Sequence, residues 1–188
     1  MQHFKLELHL NSRKNDVDDL IRRCKRGEAR AQQSLYQGLA PKMFSVCLRY
    51  MGDRDAAEDV LQDGFITLFS KLDSYTGEGS FEGWARKIFV YTALMSLRKN
   101  DVLKESEDVS EAWGLSGDEP GALGDIGYKE LMTLVEELPP GFRTVFNMYV
   151  VEGYSHKEIA EELGISENTS RSQLQRARML LQRRIKEL

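Results

Sequence analysis

The sequence predicts an all-α chain of two helical domains joined by an acidic, flexible linker. Three observations carry this. Apolar residues recur at spacings of three and four through residues 16–99 and again over 155–181, with no alternating strand pattern. Between them, residues 100–126 hold eight acids and one base, for a charge of −7, are rich in Gly and Ser, and contain Pro120. Near the C-terminus, a short capped helix, a glycine and a longer polar-faced helix follow one another in the order of a helix-turn-helix. The boundaries are an N-terminal extension over 1–15, a first domain over 16–99, the linker over 100–126 and a second domain over 127–188.

In the first domain, Asp16 caps a helix running to about Lys25 and ended by Gly27. A second helix runs from Glu28 towards Tyr50, kinked or split at Pro41, and stops at Gly52. The third begins at Asp53 or Arg54 and turns Ala57, Val60, Leu61, Leu68 and Leu72 inward. Its first half is acidic, with Asp55, Glu58, Asp59 and Asp63 around Gln62, which suits a helix N-terminus and leaves a negative patch. After a loop over 73–80, a fourth helix from Phe81 to Lys99 is expected to bury Phe81, Ala85, Ile88, Thr92 and Met95. Trp84, Arg86, Lys87, Tyr91, Arg98 and Lys99 remain on it, an interleaving of rings and cations that suits single-stranded nucleic acid. A lone Trp on a helix is more often core, so Trp84 reads first as core packing and second as a strand contact.

In the second domain, Ser155 and Glu158 form a capping box. Ile159, Ala160 and Leu163 face inward, Gly164 makes the turn, Ile165 tucks under it, and Ser166 caps the last helix. That helix turns Leu174, Ala177 and Leu181 inward and presents Asn168, Thr169, Arg171, Ser172, Gln175, Arg176 and Arg178 outward. Residues 167–188 carry +4, which suits phosphate contacts, and the amides and hydroxyls suit base edges in a major groove. The net charge of −4 misleads until the linker's −7 is set apart.

A hydrophobic share of 41% with 30% charged residues is that of a globular protein, and no segment has the length or apolarity of a membrane span or signal core. Cys24 and Cys47 read as buried reduced thiols, fitting a cytoplasmic protein. His3, His9 and His156 form no cluster with metal-ligand spacing, and no cofactor signature is present.

The stretches Asp55-Ala-Ala-Glu-Asp-Val-Leu-Gln-Asp-Gly-Phe-Ile-Thr-Leu-Phe-Ser-Lys-Leu, Ser80-Phe-Glu-Gly-Trp-Ala-Arg-Lys-Ile and Leu97-Arg-Lys resemble region 2 of sigma-70-type initiation factors. Glu137-Leu-Pro-Pro-Gly-Phe-Arg-Thr-Val-Phe with the helix-turn-helix resembles their region 4, and the short chain as a whole is similar to the extracytoplasmic-function group. The resemblance implies that Glu58, Asp59, Gln62 and Asp63 dock on the clamp helices of the polymerase beta-prime subunit, with the beta subunit as a further contact. It implies that Tyr75, Trp84, Lys87, Tyr91 and Arg98 hold the −10 strand. It also implies that Asn168, Thr169, Arg171, Ser172, Gln175 and Arg176 read the −35 duplex, with His156 and Lys157 on phosphates. A monomer when free, able to take an anti-sigma factor as partner and not inserted in a membrane, completes that expectation.

Many family members carry Asn where Tyr91 stands, often an acid or amide at Met95, and commonly Val and Arg at Ser170 and Gln173, so no promoter sequence is assigned. The linker is expected to be extended on polymerase and mobile or collapsed otherwise; a plain tether is the other reading. Two other classes fit the sequence less well. A stand-alone helix-turn-helix regulator would carry an effector domain, for which the first half offers no strand or pocket pattern. An enzyme would show a phosphate-cradling loop, nucleophile elbow or metal cluster, and none is legible.

Overall fold

The computed structural model describes residues 14–99 and 127–187; the N-terminal extension up to residue 13 and the acidic linker lie outside the described residues. Among these the chain is all helical, in the order α1 (Lys14–Lys25), α2 (Ala29–Met51), α3 (Arg54–Ser70), a 3-10 turn (Leu72–Ser74) and α4 (Phe81–Lys99). After the linker come α5 (Tyr128–Glu136), α6 (Pro140–Phe146), a π turn (Asn147–Val151), α7 (His156–Leu163) and α8 (Glu167–Lys186). No helix among the described residues is long and apolar enough to cross a membrane.

Helix α2 is the element the others pack on. Its stripe of Ala31, Leu35, Leu39, Met43, Val46, Cys47 and Tyr50 is buried, at the spacings of one helix face. The expected split at Pro41 does not occur, and α2 is one helix of 23 residues. Pro41 and Gln37, whose carbonyl loses its partner, are on the exposed side. The loss of about 3 kcal/mol that an interior proline brings is outweighed by that buried stripe, at about 1.5–3 kcal/mol for each large side chain. Burial also pushes the Cys47 thiol up to about 12, so it stays protonated.

Helix α1 begins at Lys14, before the expected cap at Asp16, which instead lies in its first turn. Asp53 does cap α3, its carboxylate accepting from the Ala56 N–H at 2.9 Å. Helix α3 buries Ala57, Val60, Leu61 and Leu68 as expected, and Phe65 as well. In α4 the ends fall where the sequence put them but the inward face does not. Phe89, Val90, Ala93, Leu94 and Leu97 join Phe81 and Ala85 in the core, whereas Ile88 and Thr92 are half-buried and Met95 is 43% exposed. The larger ring wins the interior: Phe89 meets Phe65 edge-to-face at 5.0 Å, and that contact fixes the rotation of the helix.

The two halves are packed together, and one continuous hydrophobic core runs from α1 through α2 to α5, α6 and α8. The junction is polar as well as apolar. The Arg143 guanidinium on α6 donates from Nε to the Tyr50 carbonyl at 2.9 Å and from Nη2 to the Met51 carbonyl at 2.7 Å. Its Nη1 donates to the carbonyls of Glu136 and Leu138 at 2.8 and 3.0 Å. These are the orphan carbonyls where α2 and α5 end, so one cation serves two helix C-termini. Asn147 Nδ2 adds a bond to the Arg49 carbonyl at 2.9 Å.

Gly52 ends α2 at φ 68°, and a Cβ there would run into the Arg143 guanidinium. Gly52→Ala is expected to destabilise the protein by at least about 2 kcal/mol, combining left-handed strain with displacement of a buried cation. Thermal or denaturant unfolding reads this; an unchanged midpoint would contradict the packed junction.

Candidate nucleic-acid and protein interfaces

The helix-turn-helix is built as its caps dictate. Ser155 Oγ receives the Glu158 N–H at 3.2 Å while the Glu158 carboxylate accepts the Ser155 N–H at 2.8 Å. Those bonds hold the Glu158 carboxyl below the usual carboxylate range. Helix α7 ends at Gly164, φ 68°, whose N–H bonds the Ala160 carbonyl. Ser166 Oγ then caps α8 by accepting from the Thr169 N–H at 2.9 Å. Leu174, Ala177, Leu180 and Leu181 are buried, and so are Ser170 and Gln173. These last two therefore belong to the inward face and not to the outward one.

The outward face of α8 presents Asn168, Arg171 and Gln175 exposed, with Thr169, Ser172 and Arg176 partly so. Arg171 is held only by an exposed i,i+4 pair with Glu167 at 3.0 Å, an interaction worth about 0.3–0.5 kcal/mol that DNA can displace. Lys157 is exposed, whereas His156 is partly buried. The His156 ring stacks on Tyr149 with centroids 4.5 Å apart, and its Nδ1 lies 2.9 Å from Ser170 Oγ. Burial, with Arg171 and Arg178 nearby, pulls its pKa below the ordinary value. His156 ties α7 to α8.

On α4, Trp84, Lys87, Tyr91 and Arg98 follow one another at helical spacing along one stripe, with Met95 filling the gap. Tyr91 is 49% exposed, Lys87 is exposed, and Trp84 and Arg98 are half-buried. Trp84 packs one side on Tyr75 and Phe81 at 5.3 and 5.5 Å and keeps an exposed part. Tyr75 is placed differently from its neighbours: its ring is buried and its hydroxyl donates to the Gly79 carbonyl at 3.1 Å. It backs Trp84 and presents no ring of its own.

On α3, Glu58, Asp59, Gln62 and Asp63 are all exposed on one face, Glu58 paired to Arg54 at 3.0 Å. Two groups missed in the sequence extend this face. Ile66 is 67% exposed one turn on from Gln62 and Asp63, and Tyr36 of α2, also exposed, packs its ring 4.4 Å from that of the neighbouring Phe65. An isoleucine three residues after Asp63 was the legible signal for the first; for Tyr36 there was none, because it comes from another helix.

Two family models match this chain: Sigma-70 region 2 over residues 35–102 and Sigma-70 region 4 over residues 128–181. The ECF RNA polymerase sigma-E factors of Salmonella typhimurium and Escherichia coli are each 29% identical over 180 residues, covering 90% of this chain and 94% of theirs. The RNA polymerase sigma-H factor of Pseudomonas aeruginosa is 28% identical over 182 residues, covering 90% of this chain and 93% of its own. Among solved structures, CnrH in complex with the cytosolic domain of CnrY matches at 19% identity and a TM-score of 0.47, covering 90% of this chain and 96% of that one. The sigma factor RpoE in complex with the anti-sigma factor NepR from Bartonella quintana matches at 20% and 0.47, covering 82% and 96%. The chain belongs to the sigma-70 family of RNA polymerase sigma factors, in its extracytoplasmic-function group.

Proposed function

We propose that this factor acts in the cytoplasm by docking α3 on the beta-prime clamp helices of core polymerase, holding a −10 strand on α4 and reading a −35 duplex with α8. On this reading it binds and positions and catalyses nothing itself. Asp59, Gln62 and Asp63, with Glu58 at their edge, supply the docking charge, and Ile66 and Tyr36 supply an apolar centre for it. Trp84 and Tyr91 stack bases while Lys87 and Arg98 meet phosphates, with Tyr75 as the buried support of Trp84. Arg171, Ser172, Gln175 and Arg176 approach base edges, Asn168, Thr169 and Lys157 approach the duplex backbone, and His156 sets the angle between α7 and α8. The polymerase beta subunit would meet the second half. The observation that supports the reading is that one chain exposes an acidic face on α3, a face of rings and cations on α4 and a face of cations, amides and hydroxyls on α8.

Purified core polymerase is the test: a stable complex is expected before any DNA is added. Asp59→Lys with Asp63→Lys should abolish that complex at moderate salt while helicity persists, because both charges reverse at the docking face. Unimpaired binding by the folded double variant would overturn the docking assignment.

Arg176→Ala should cost about 1–3 kcal/mol of promoter binding and relax one −35 position, as loss of a bidentate guanine contact does. Promoter selection with reconstituted holoenzyme reads it. Equal weakening on every sequence would make Arg176 a phosphate contact instead.

A further inference from the structure

Helix α1 ends on a lysine that does not serve its own helix. The terminal carbonyls of Arg22, Arg23 and Cys24 accept the N–H groups of Arg26, Glu28 and Gly27 at 3.2, 3.2 and 2.9 Å. The neighbouring Arg23 and Arg26 are both paired with Glu28, at 2.7 and 2.8 Å. The Lys25 ammonium instead crosses 48 and 50 positions of the chain, donating to the Asp73 carbonyl at 3.4 Å and the Tyr75 carbonyl at 3.0 Å. These carbonyls lie at the end of the 3-10 turn Leu72–Ser74, and so short a turn leaves its last carbonyls without partners of its own.

What the lysine holds is the residue under Trp84. The Tyr75 ring is 8% exposed, meets Phe81 edge-to-face at 5.1 Å and lies 5.3 Å from the Trp84 ring. Its hydroxyl ties the far end of the loop at the Gly79 carbonyl, and Ser80 Oγ then receives the Gly83 N–H at 3.2 Å as α4 begins. Gly77 and Gly79 have φ of 86° and 74°, and a Cβ added to either would meet nothing within 4 Å among the described residues. The segment from Tyr75 to Ser80 is thus fixed by a chain of polar bonds that starts at Lys25. Helix α1 is anchored by the buried Ile21 and Cys24, whereas Lys25 is exposed. Its bonds therefore set a local geometry more than they hold the domain together.

We propose that Lys25 is a positioning residue for strand binding. Through the Tyr75 backbone it sets the ring that backs Trp84, and so holds the stacking face of α4 in place before DNA arrives. This rests on the reading of α4 as the strand face. A face ordered in advance costs less to order on binding, so loss of the brace shows in strand affinity and leaves polymerase and −35 binding alone.

The test uses assembled holoenzyme with Lys25→Met, which keeps the stem and removes the ammonium, and Lys25→Arg, which restores a cation with donors for both carbonyls. The probe is a labelled single strand carrying the −10 segment of a promoter selected with this holoenzyme, titrated at several salt concentrations. Lys25→Met is expected to bind it about tenfold more weakly, with Lys25→Arg recovering most of the loss. The polymerase complex and the affinity for a −35 duplex should not change. The slope of log affinity on log salt should not change either, because no phosphate contact is lost. Tyr75→Phe, which keeps the ring and frees the Gly79 carbonyl, should weaken strand binding in the same way. Normal strand binding by either variant would overturn the proposal. A slope smaller by about 0.7 in Lys25→Met would overturn it as well, by making the ammonium a direct phosphate contact. Polymerase, −35 and strand binding weakened together would do the same, by making Lys25 a general structural prop. Lys87→Ala with Tyr91→Ala tests the strand face by itself. Normal strand binding there would refute that reading, whereas weakened binding there beside a normal Lys25→Met would refute only the positioning role.

Discussion

A charged guanidinium buried between helix ends is the constraint on which the arrangement depends. Arg143 is held by four backbone carbonyls, two from each half of the chain, and its burial lowers its pKa to about 10, which leaves it charged at neutral pH. Removing water from such a group is costly unless every donor finds an acceptor. The carbonyls at the ends of α2 and α5 meet that demand, and they are themselves groups that a helix C-terminus leaves without partners. Each side therefore resolves the other's desolvation. Gly52 and the short turn around Pro139 are what the close approach requires of the backbone.

From that anchor the rest of the second half follows. Helix α6 does not end cleanly but widens into the π turn over Asn147–Val151, with the Glu152 N–H reaching back to the Asn147 carbonyl at 2.9 Å. The wider turn places Asn147 against the end of α2 and Glu152 against Arg49 and Arg86. The helix-turn-helix hangs beyond it, steadied by Phe142, Val145 and Phe146 under α8 and by the stack of Tyr149 on His156. The helix-turn-helix is thus carried on packed elements, and the π turn that leads into it is what sets Glu152 against α4.

Much of this was legible in the sequence wherever the determinants are local. Caps at Ser155 and Ser166, the turn at Gly164 and both ends of α4 all stand where residue chemistry put them. What failed was the choice between adjacent faces. Phe81, Ala85, Ile88, Thr92 and Met95 have good helical spacing, but so do Phe81, Ala85, Phe89 and Leu97, and only the partner ring of Phe65 decides between them. In α8 the polar Ser170 and Gln173, which belong to neither the inward nor the outward set expected from the sequence, are buried, Ser170 beside the His156 ring. Arg143 lies within the region 4 motif, yet its role is not legible there, because Tyr50 and Met51 lie more than ninety positions away. Long-range polar contacts leave no period in the sequence, and that is why the junction, with Glu152 and Arg86, became visible only in three dimensions.

Scanning calorimetry of the full chain tests most directly whether Arg143 makes one body of the two halves. The wild-type protein should melt in a single transition whose calorimetric and van't Hoff enthalpies agree. Arg143→Met, similar in volume and without donors, should split it into two transitions by removing about 3–5 kcal/mol from the junction. Two independent transitions in the wild type, or a single unshifted one in the variant, would contradict the account.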